Sequence, residues 1–466
     1  MASASTKNIQ SQFEEVSKKS KGNEKDLKKM NRVFFIVFIS LVLDLLAFTV
    51  ILPLLPSILD YYGSNDKVGL YTYLKTSVSN FREFVGAPDT PRWNSVLFGG
   101  LIGSLFSYLN FLSAPVIGAA SDIYGRKPLM LLSMVGVAAS YALWAVSSNF
   151  TLFVLARIIG GISKGNVSLS TAIVTDVSTP EKRGKGMAWI GVAFSVGFVF
   201  GPTIGAIFSI YGKSSGGSIF LLPALFALTL AIGDILFVYL FLEETLPESK
   251  RNKKTRLSSA SDYVNPLKLF RFSTVKNISS TDSKNIQRIG SLYFIYMFLY
   301  SGLEFTLPFL CHNRFQYDSI QQGKMFFFMG AVMALVQGGY VRRVTQEKQQ
   351  KVAIQGMIIL IPAFIIMAFA FSTTLMYIGL VLFSFASGTV VPCLTTMISI
   401  NGGNEQKGVI MGTFRSLGAL ARAVGPVAAS IVYWSLGAKV CYVSGGILLI
   451  LPILLLKKLR KQKIEK

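Results

Sequence analysis

The chain has 466 residues, 52% of them hydrophobic and only 15% charged, well under the roughly 25% charge of a soluble domain. A bilayer span takes about 20 mostly apolar residues, so about a dozen spans would use roughly half the chain, which sets aside a soluble single domain. Forty-six lysines and arginines against 23 acids leave a net charge of +23, which suggests nucleic-acid binding only if those residues do not face the cytoplasm.

The N-terminal stretch 1–31 is polar and lysine-rich without the apolar core of a cleaved signal peptide. It reads as a basic cytoplasmic tail, and the first apolar run stays in the protein as a span. Apolar runs then fall near 33–56, 95–117, 128–147, 150–174, 187–210 and 219–242 and form an N-terminal half over 32–242. A Ser-, Lys- and Asn-rich linker loop covers 243–287. Six further runs near 288–310, 323–341, 352–371, 374–398, 408–434 and 437–456 form a C-terminal half over 288–456, and 457–466 is a second basic tail. The loop after the first run is balanced in charge. Basic residues collect in the even-numbered turns (Arg126 and Lys127; Lys182, Arg183 and Lys185; Arg342 and Arg343; Lys407), whereas the later odd turns are nearly neutral. Positive residues stay inside, so both termini and every even turn read as cytoplasmic, which requires an even number of spans.

The halves repeat. The fifth run carries "EKRGKGM" and "GPTIGA", the eleventh "EQKGVIM" and "GPVAAS"; Glu181 to Glu405 and Gly201-Pro202 to Gly425-Pro426 share a spacing of 224 residues. Duplicated six-helix halves place a transport site between them near the bilayer midplane.

The turn "GAASDIYGRKP", Gly118 to Pro128, is the most specific short signal. Gly118 and Gly125 would permit close backbone approach and a tight turn. Asp122 is expected at the positive N-terminus of the eleventh helix near Gly408, and Arg126, followed by Lys127, is expected to pair with Asp176; such contacts would latch one side shut. In the fifth run Gly197, Gly201 and Gly205, with Pro202, have the small-residue spacing that lets helices approach closely and bend, a pattern shared by drug:proton antiporters and by plain packing.

Asp44 in the first run and Glu304 in the seventh are intramembrane acids that fall within about one turn of each other when the halves are aligned by eye. Burial favours the protonated form of a carboxyl group, the property a proton-coupled carrier uses, although a fixed cation could satisfy either acid. Arg157 and Lys164 in the fourth run, and Arg415 and Arg422 in the eleventh, are seven residues apart and so share a helix face. Snorkelling to the interface is a fair reading for Arg157 and a poor one for Lys164 and Arg422. Two such stripes would leave the cavity positive and attract an anion, the arginine fork matching a carboxylate or sulfonate. The alternative is that Lys164 neutralises Asp44 while Arg415 or Arg422 neutralises Glu304. Gln337 is a candidate substrate contact or a polar helix contact. Asp234 has no evident partner, and His312 is read as interfacial. Cys311, Cys393 and Cys441 lack paired spacing, which sets aside a disulfide framework and a zinc site. No P-loop, triad or cofactor fingerprint is present, so catalysis, ATP-driven pumping and a bound cofactor are not expected.

The stretches "RIIGGISKGNVSLSTAIVTDV", "SGLEFTLPFL" and "MGTFRSLGALARAVGP" are similar to those of a tetracycline-transporter-like branch of the major facilitator superfamily, while "LVLDLLAFTVILPLLP" and the Gly118 turn resemble bacterial tetracycline carriers. The resemblance runs from about residue 31 to 456. It carries motif roles to Gly118, Asp122, Gly125, Arg126, Lys127, Arg157, Gly201 and Pro202; the second-half copy of the turn, near Gly338, Arg342 and Arg343, lacks the acid, so a symmetric latch is not expected. It implies an all-α polytopic membrane protein of about twelve helices, transport of organic anions including acidic drugs, and residence in the plasma membrane or the inner nuclear membrane. The expected function is secondary transport of organic anions by alternating access. Substrate would meet Lys164, Arg415, Arg422, Arg157 and Gln337, protons Asp44 and Glu304. Gly118, Asp122, Gly125, Arg126, Lys127 and Asp176 would gate, and Gly197, Gly201, Pro202, Gly205, Gly425 and Pro426 would pack or hinge. Partners would be a small organic anion, protons and the bilayer, with no nucleic acid, for a monomer. A tetracycline-like multidrug:proton antiporter and a non-transporting receptor or scaffold are the alternatives.

Overall fold

The computed structural model describes residues 27–65, 69–85, 91–179, 182–214, 220–251, 265–273, 275, 279–400 and 407–459. Its described segments form helices and turns without strand. Eleven helical runs are long and apolar enough to cross a bilayer. The first six are Leu27–Asn65, Val96–Tyr124, Arg126–Ala145, Phe150–Val177, Trp189–Phe208 and Leu221–Phe241. The seventh to tenth are Thr281–Phe315, Ser319–Arg343, Gln346–Phe369 and Thr373–Ile398, and Ile410–Lys457 closes the series. That last run is 48 residues long, over twice the roughly 20 a span needs. At Gly437 its backbone takes φ 85° and ψ 165°, a conformation glycine reaches without steric cost. The run is therefore two helices, the eleventh and twelfth spans, which agrees with the twelve runs read from the sequence.

Three elements differ from those expectations. The first helix does not stop at residue 56 but continues through a tight turn at Leu52–Leu54 to Asn65. The loop beyond it holds the amphipathic helix Leu70–Val85, whose buried Tyr71 meets Phe98 and Phe150 edge-on. The helix containing the seventh span starts at Ser280, inside the expected linker, with the Ser279 side chain accepting from Thr281 N and Asp282 in its first turn; a capped polar turn gives no hydropathy signal.

Small residues decide how the helices seat. A Cβ at Gly201 would fall on Thr49 Oγ1 and lie 3.0 Å from Leu46 O; one at Gly425 would meet Phe298 O and Ser301 Oγ. The fifth span thus packs on the first as the eleventh packs on the seventh. Gly197 and Gly205 press the same first span at Leu45 and at the Val50 carbonyl, and Thr49 Oγ1 donates to Gly197 O at 2.8 Å. The equivalences Leu46 to Phe298 and Thr49 to Ser301 have the same spacing, 252 residues, as the Asp60–His312 contact at the far end of the same two helices. This register corrects the alignment by eye. Tyr296 is the counterpart of Asp44, and Glu304 is the counterpart of Leu52, so the two acids lie two turns apart, about 12 Å at 1.5 Å per residue.

The halves meet along two seams, second span on eleventh and fifth on eighth. Gly100 lies against Ser430 and the Pro426 carbonyl, and Ser104 Oγ accepts from Val427 N at 3.0 Å. In the other seam Gly323 lies against Ala206 and Gly330 against Val199. Exchanging the halves exchanges the seams, as duplication requires.

Candidate functional site

The turn between the second and third spans is built around one strained residue. Gly125 takes φ 105° and ψ 157°, which aims the N–H groups of Arg126 and Lys127 out of the start of the third helix. These are orphan donors of a helix N-terminus. Glu244, just past the sixth span, accepts both, at 3.0 and 3.2 Å, and Leu246 N at 2.9 Å. The Arg126 guanidinium, in turn, holds Asp176 Oδ2 at 2.8 Å and Asp122 Oδ1 at 2.6 Å. Lys127 Nζ donates to Tyr239 O at 2.8 Å. The turn thereby ties the ends of the second, third, fourth and sixth spans together. Asp122 meets Arg126 within its own turn, while the eleventh helix expected near it begins at Lys407. Gly118 has nothing within 4 Å of a Cβ position, so the close approach expected there is absent among the described residues.

Deeper in the N-terminal half, "SKGN" interrupts the fourth span. Helix Phe150–Ser163 ends at Lys164, where ψ is 59°, and a new helix starts at Asn166. The break turns Lys164 Nζ onto both Asp44 oxygens, at 2.7 and 2.6 Å, with each residue only 6% exposed. Lys164 therefore neutralises Asp44, the first of the alternatives left open by the sequence. Asp234, which the sequence left without a partner, accepts from Ser40 Oγ at 3.2 Å through Oδ2. Arg157 does not snorkel: it is 7% exposed and lies 5.7 to 5.8 Å from the rings of Phe106, Trp144 and Phe153. Stacking on aromatic faces partly replaces its lost hydration.

The C-terminal half presents its cations differently. Arg415, half-buried on the eleventh span, crosses to the other half, donating to Thr171 Oγ1 and reaching Met187 Sδ at 3.8 Å. Arg422, two turns further on, is exposed; Tyr293 and Glu304 of the seventh span are its electrostatic neighbours. Glu304 accepts from Tyr300 at 3.1 Å, and the same hydroxyl lies 2.8 Å from Ser387 Oγ. Among the described residues neither arginine forms an ion pair. Gln337 sits in a π-helical turn, Val336–Tyr340, a local form that recurs at functional sites, and its Oε1 accepts from Ser195 of the fifth span at 3.1 Å. At the opposite end His312 Nε2 lies 2.8 Å from Asp60 across the halves. Among the described residues no three His, Cys, Asp or Glu side chains converge as metal ligands.

Sequence reading missed Glu244, Ser40 and the tyrosines around Glu304. Glu244 could have been found as an acid closing the apolar sixth run in "FLEETLPE"; Ser40 lies four residues before Asp44 and so on its face.

Two six-helix halves related by a repeat and joined along two seams define the fold of a membrane carrier, and the chain belongs to the Major Facilitator Superfamily, whose family model matches residues 37–426. It is a multi-pass membrane protein of a transporter family. Among individual relatives it is 49% identical over 435 residues to the Major facilitator superfamily domain-containing protein 10 of Mus musculus, covering 92% of this chain and 93% of the relative. It is 26% identical over 409 residues to the class B tetracycline resistance protein of Escherichia coli, covering 87% and 89%. The crystal structure of the human organic anion transporter MFSD10 (TETRAN) superposes with a TM-score of 0.77 at 47% identity, covering 92% of this chain and 99% of that one.

Proposed function

We propose that the chain is a secondary transporter of small organic anions that works by alternating access. The observation that carries this reading is the pair Arg415, which reaches Thr171 of the other half, and Arg422, exposed two turns further on, neither within ion-pair distance of a carboxylate among the described residues. Such guanidinium groups offer a carboxylate or sulfonate a matching fork of donors, and Tyr293, stacked on Phe414 at 3.8 Å between ring centres, adds an aromatic wall. The similarity to the human organic anion transporter MFSD10 (TETRAN) points the same way. Lys164 is occupied by Asp44 and Arg157 is enclosed by rings, so the positive charge open to a substrate belongs to the C-terminal half. An exporter of cationic drugs would instead leave carboxylates open. The Arg126 network joins the second, third, fourth and sixth spans, so it would keep the cytoplasmic end of the N-terminal half rigid as that half moves. Residence in the plasma membrane or the inner nuclear membrane and proton linkage through Asp44 and Glu304 belong to the same reading.

Carboxyfluorescein uptake by proteoliposomes tests it. Arg422→Ala and Arg415→Ala should each lower kcat/KM about tenfold or more, the scale of one lost charge-assisted hydrogen bond. Undiminished uptake in both variants would sink the anion assignment; binding without counterflow exchange would favour a receptor. Proton linkage is separable: Glu304→Gln should lower accumulation driven by a pH gradient, and an unchanged response would remove that acid from the coupling.

A further inference from the structure

One buried acid has no place in the anion path. Asp234, in the sixth span, is 2% exposed. Its Oδ2 meets Ser40, and its Oδ1 has no hydrogen-bond partner. The charged groups facing it are Asp44 from the first span and Lys164 from the break in the fourth. Lys164 is already shared between both oxygens of Asp44. The third span contributes Tyr141, which stands between Asp44 and Arg157; Arg157 itself lies among the rings of Phe106, Trp144 and Phe153 and is not one of the charges acting on Asp234. Two carboxylates and one ammonium, all closed to water, sum to one negative charge if every group is ionised. An uncompensated charge inside a low-dielectric core is far costlier than a neutral acid. The unpartnered Oδ1 is where a proton fits, since a carboxyl hydroxyl is a donor that a carboxylate oxygen is not.

We propose that Asp234 holds a proton that balances the Asp44–Lys164 pair and gives it up during the transport cycle, Lys164 then serving as its counter-ion. The step is a simple dissociation: the Asp234 carboxyl O–H breaks, the proton passes to water in the state that opens the pocket, and the carboxylate left behind shares Lys164 Nζ with Asp44. The discharged pocket is one charge more negative than the loaded one. This proton site rests on the transport reading for its use but not for its existence.

Two measurements on the full-length chain in liposomes separate these. Infrared titration should show a protonated-carboxyl C=O band that disappears in Asp234→Asn, persists in Glu304→Gln and shifts in frequency in Ser40→Ala, which removes its hydrogen-bond partner. A band unchanged in both Asp234→Asn and Ser40→Ala overturns the proposal, and the mild serine variant keeps the test informative if Asp234→Asn fails to fold. In the second measurement, a pH gradient of one unit drives about a tenfold accumulation of carboxyfluorescein for each coupled proton, the one on Asp234 included, because a factor of ten is 1.36 kcal/mol. Asp234→Asn should lose that accumulation while keeping counterflow exchange. Wild-type accumulation in Asp234→Asn overturns the role in the cycle. A wild-type chain that transports no carboxyfluorescein overturns the anion reading instead, and the infrared band still decides whether Asp234 carries a proton.

Discussion

Lys164→Ala should lower the stability of the folded chain by about 3–5 kcal/mol, the range for breaking a buried ion pair from one side, and adding Asp44→Asn should return most of the loss. The reason lies in what remains. Lys164 and Asp44 are each 6% exposed, and the ammonium contacts both carboxylate oxygens. Removing the lysine strands a carboxylate beside Phe48, whose ring lies 4.8 Å from Nζ, with Asp234 as a second acid nearby. Asparagine at position 44 keeps the shape and removes the charge. Asp44→Asn alone should cost less than Lys164→Ala, because the asparagine carbonyl still accepts a hydrogen bond from the lysine whereas alanine leaves the carboxylate with no donor. Thermal unfolding in detergent, followed by size-exclusion recovery, measures the cycle. A double variant no more stable than Lys164→Ala would show that the pair is not what fixes the fourth helix to the first.

Hydropathy exposed the spans because bilayer helices are apolar over a fixed length, and the 224-residue spacing exposed the duplication because Gly201 and Gly425 do the same steric job in both halves. What hydropathy could not see were helices whose start is polar. The helix from Ser280 opens on a serine cap, and Leu70–Val85 is amphipathic rather than apolar along its length. The alignment of Asp44 with Glu304 failed for a related reason. Apolar helices look alike under a shift of two turns, and only the close contacts of Gly201 and Gly425 fix the register.

At the candidate site the turn motif was legible, since Arg126 and Asp176 pair as their charges demanded. The fate of Lys164 was not. The sequence placed it on a continuous helical face with Arg157, whereas the helix breaks at the lysine and sends the two side chains to different partners. Glu244 was missed because its role is to cap a helix starting 118 positions earlier in the chain, a relation that exists only once the third and sixth spans pack together.

The two glycines of that motif should respond to alanine with opposite signs. Gly125→Ala forces a side chain into φ 105° and ψ 157°, a region that is nearly glycine-only and costs about 1–3 kcal/mol. The added Cβ also points at Glu244 Oε2. The carboxylate must withdraw from Arg126 N and Lys127 N, and a lost N-cap adds about 0.5–2 kcal/mol. The two penalties act on one contact, so they combine to less than their sum. Gly118, by contrast, lies inside the helix Pro91–Tyr124 with open space around its Cβ position. Gly118→Ala should therefore stabilise the chain by about 0.5–1 kcal/mol, the usual helix gain over glycine. Glu244→Gln, which keeps an acceptor for the two N–H groups, should fall between them. Melting temperatures in one detergent rank the three. If Gly125→Ala melts with the wild type, or Gly118→Ala melts lower than Gly125→Ala, the turn is not held by the Gly125 backbone and its Glu244 cap.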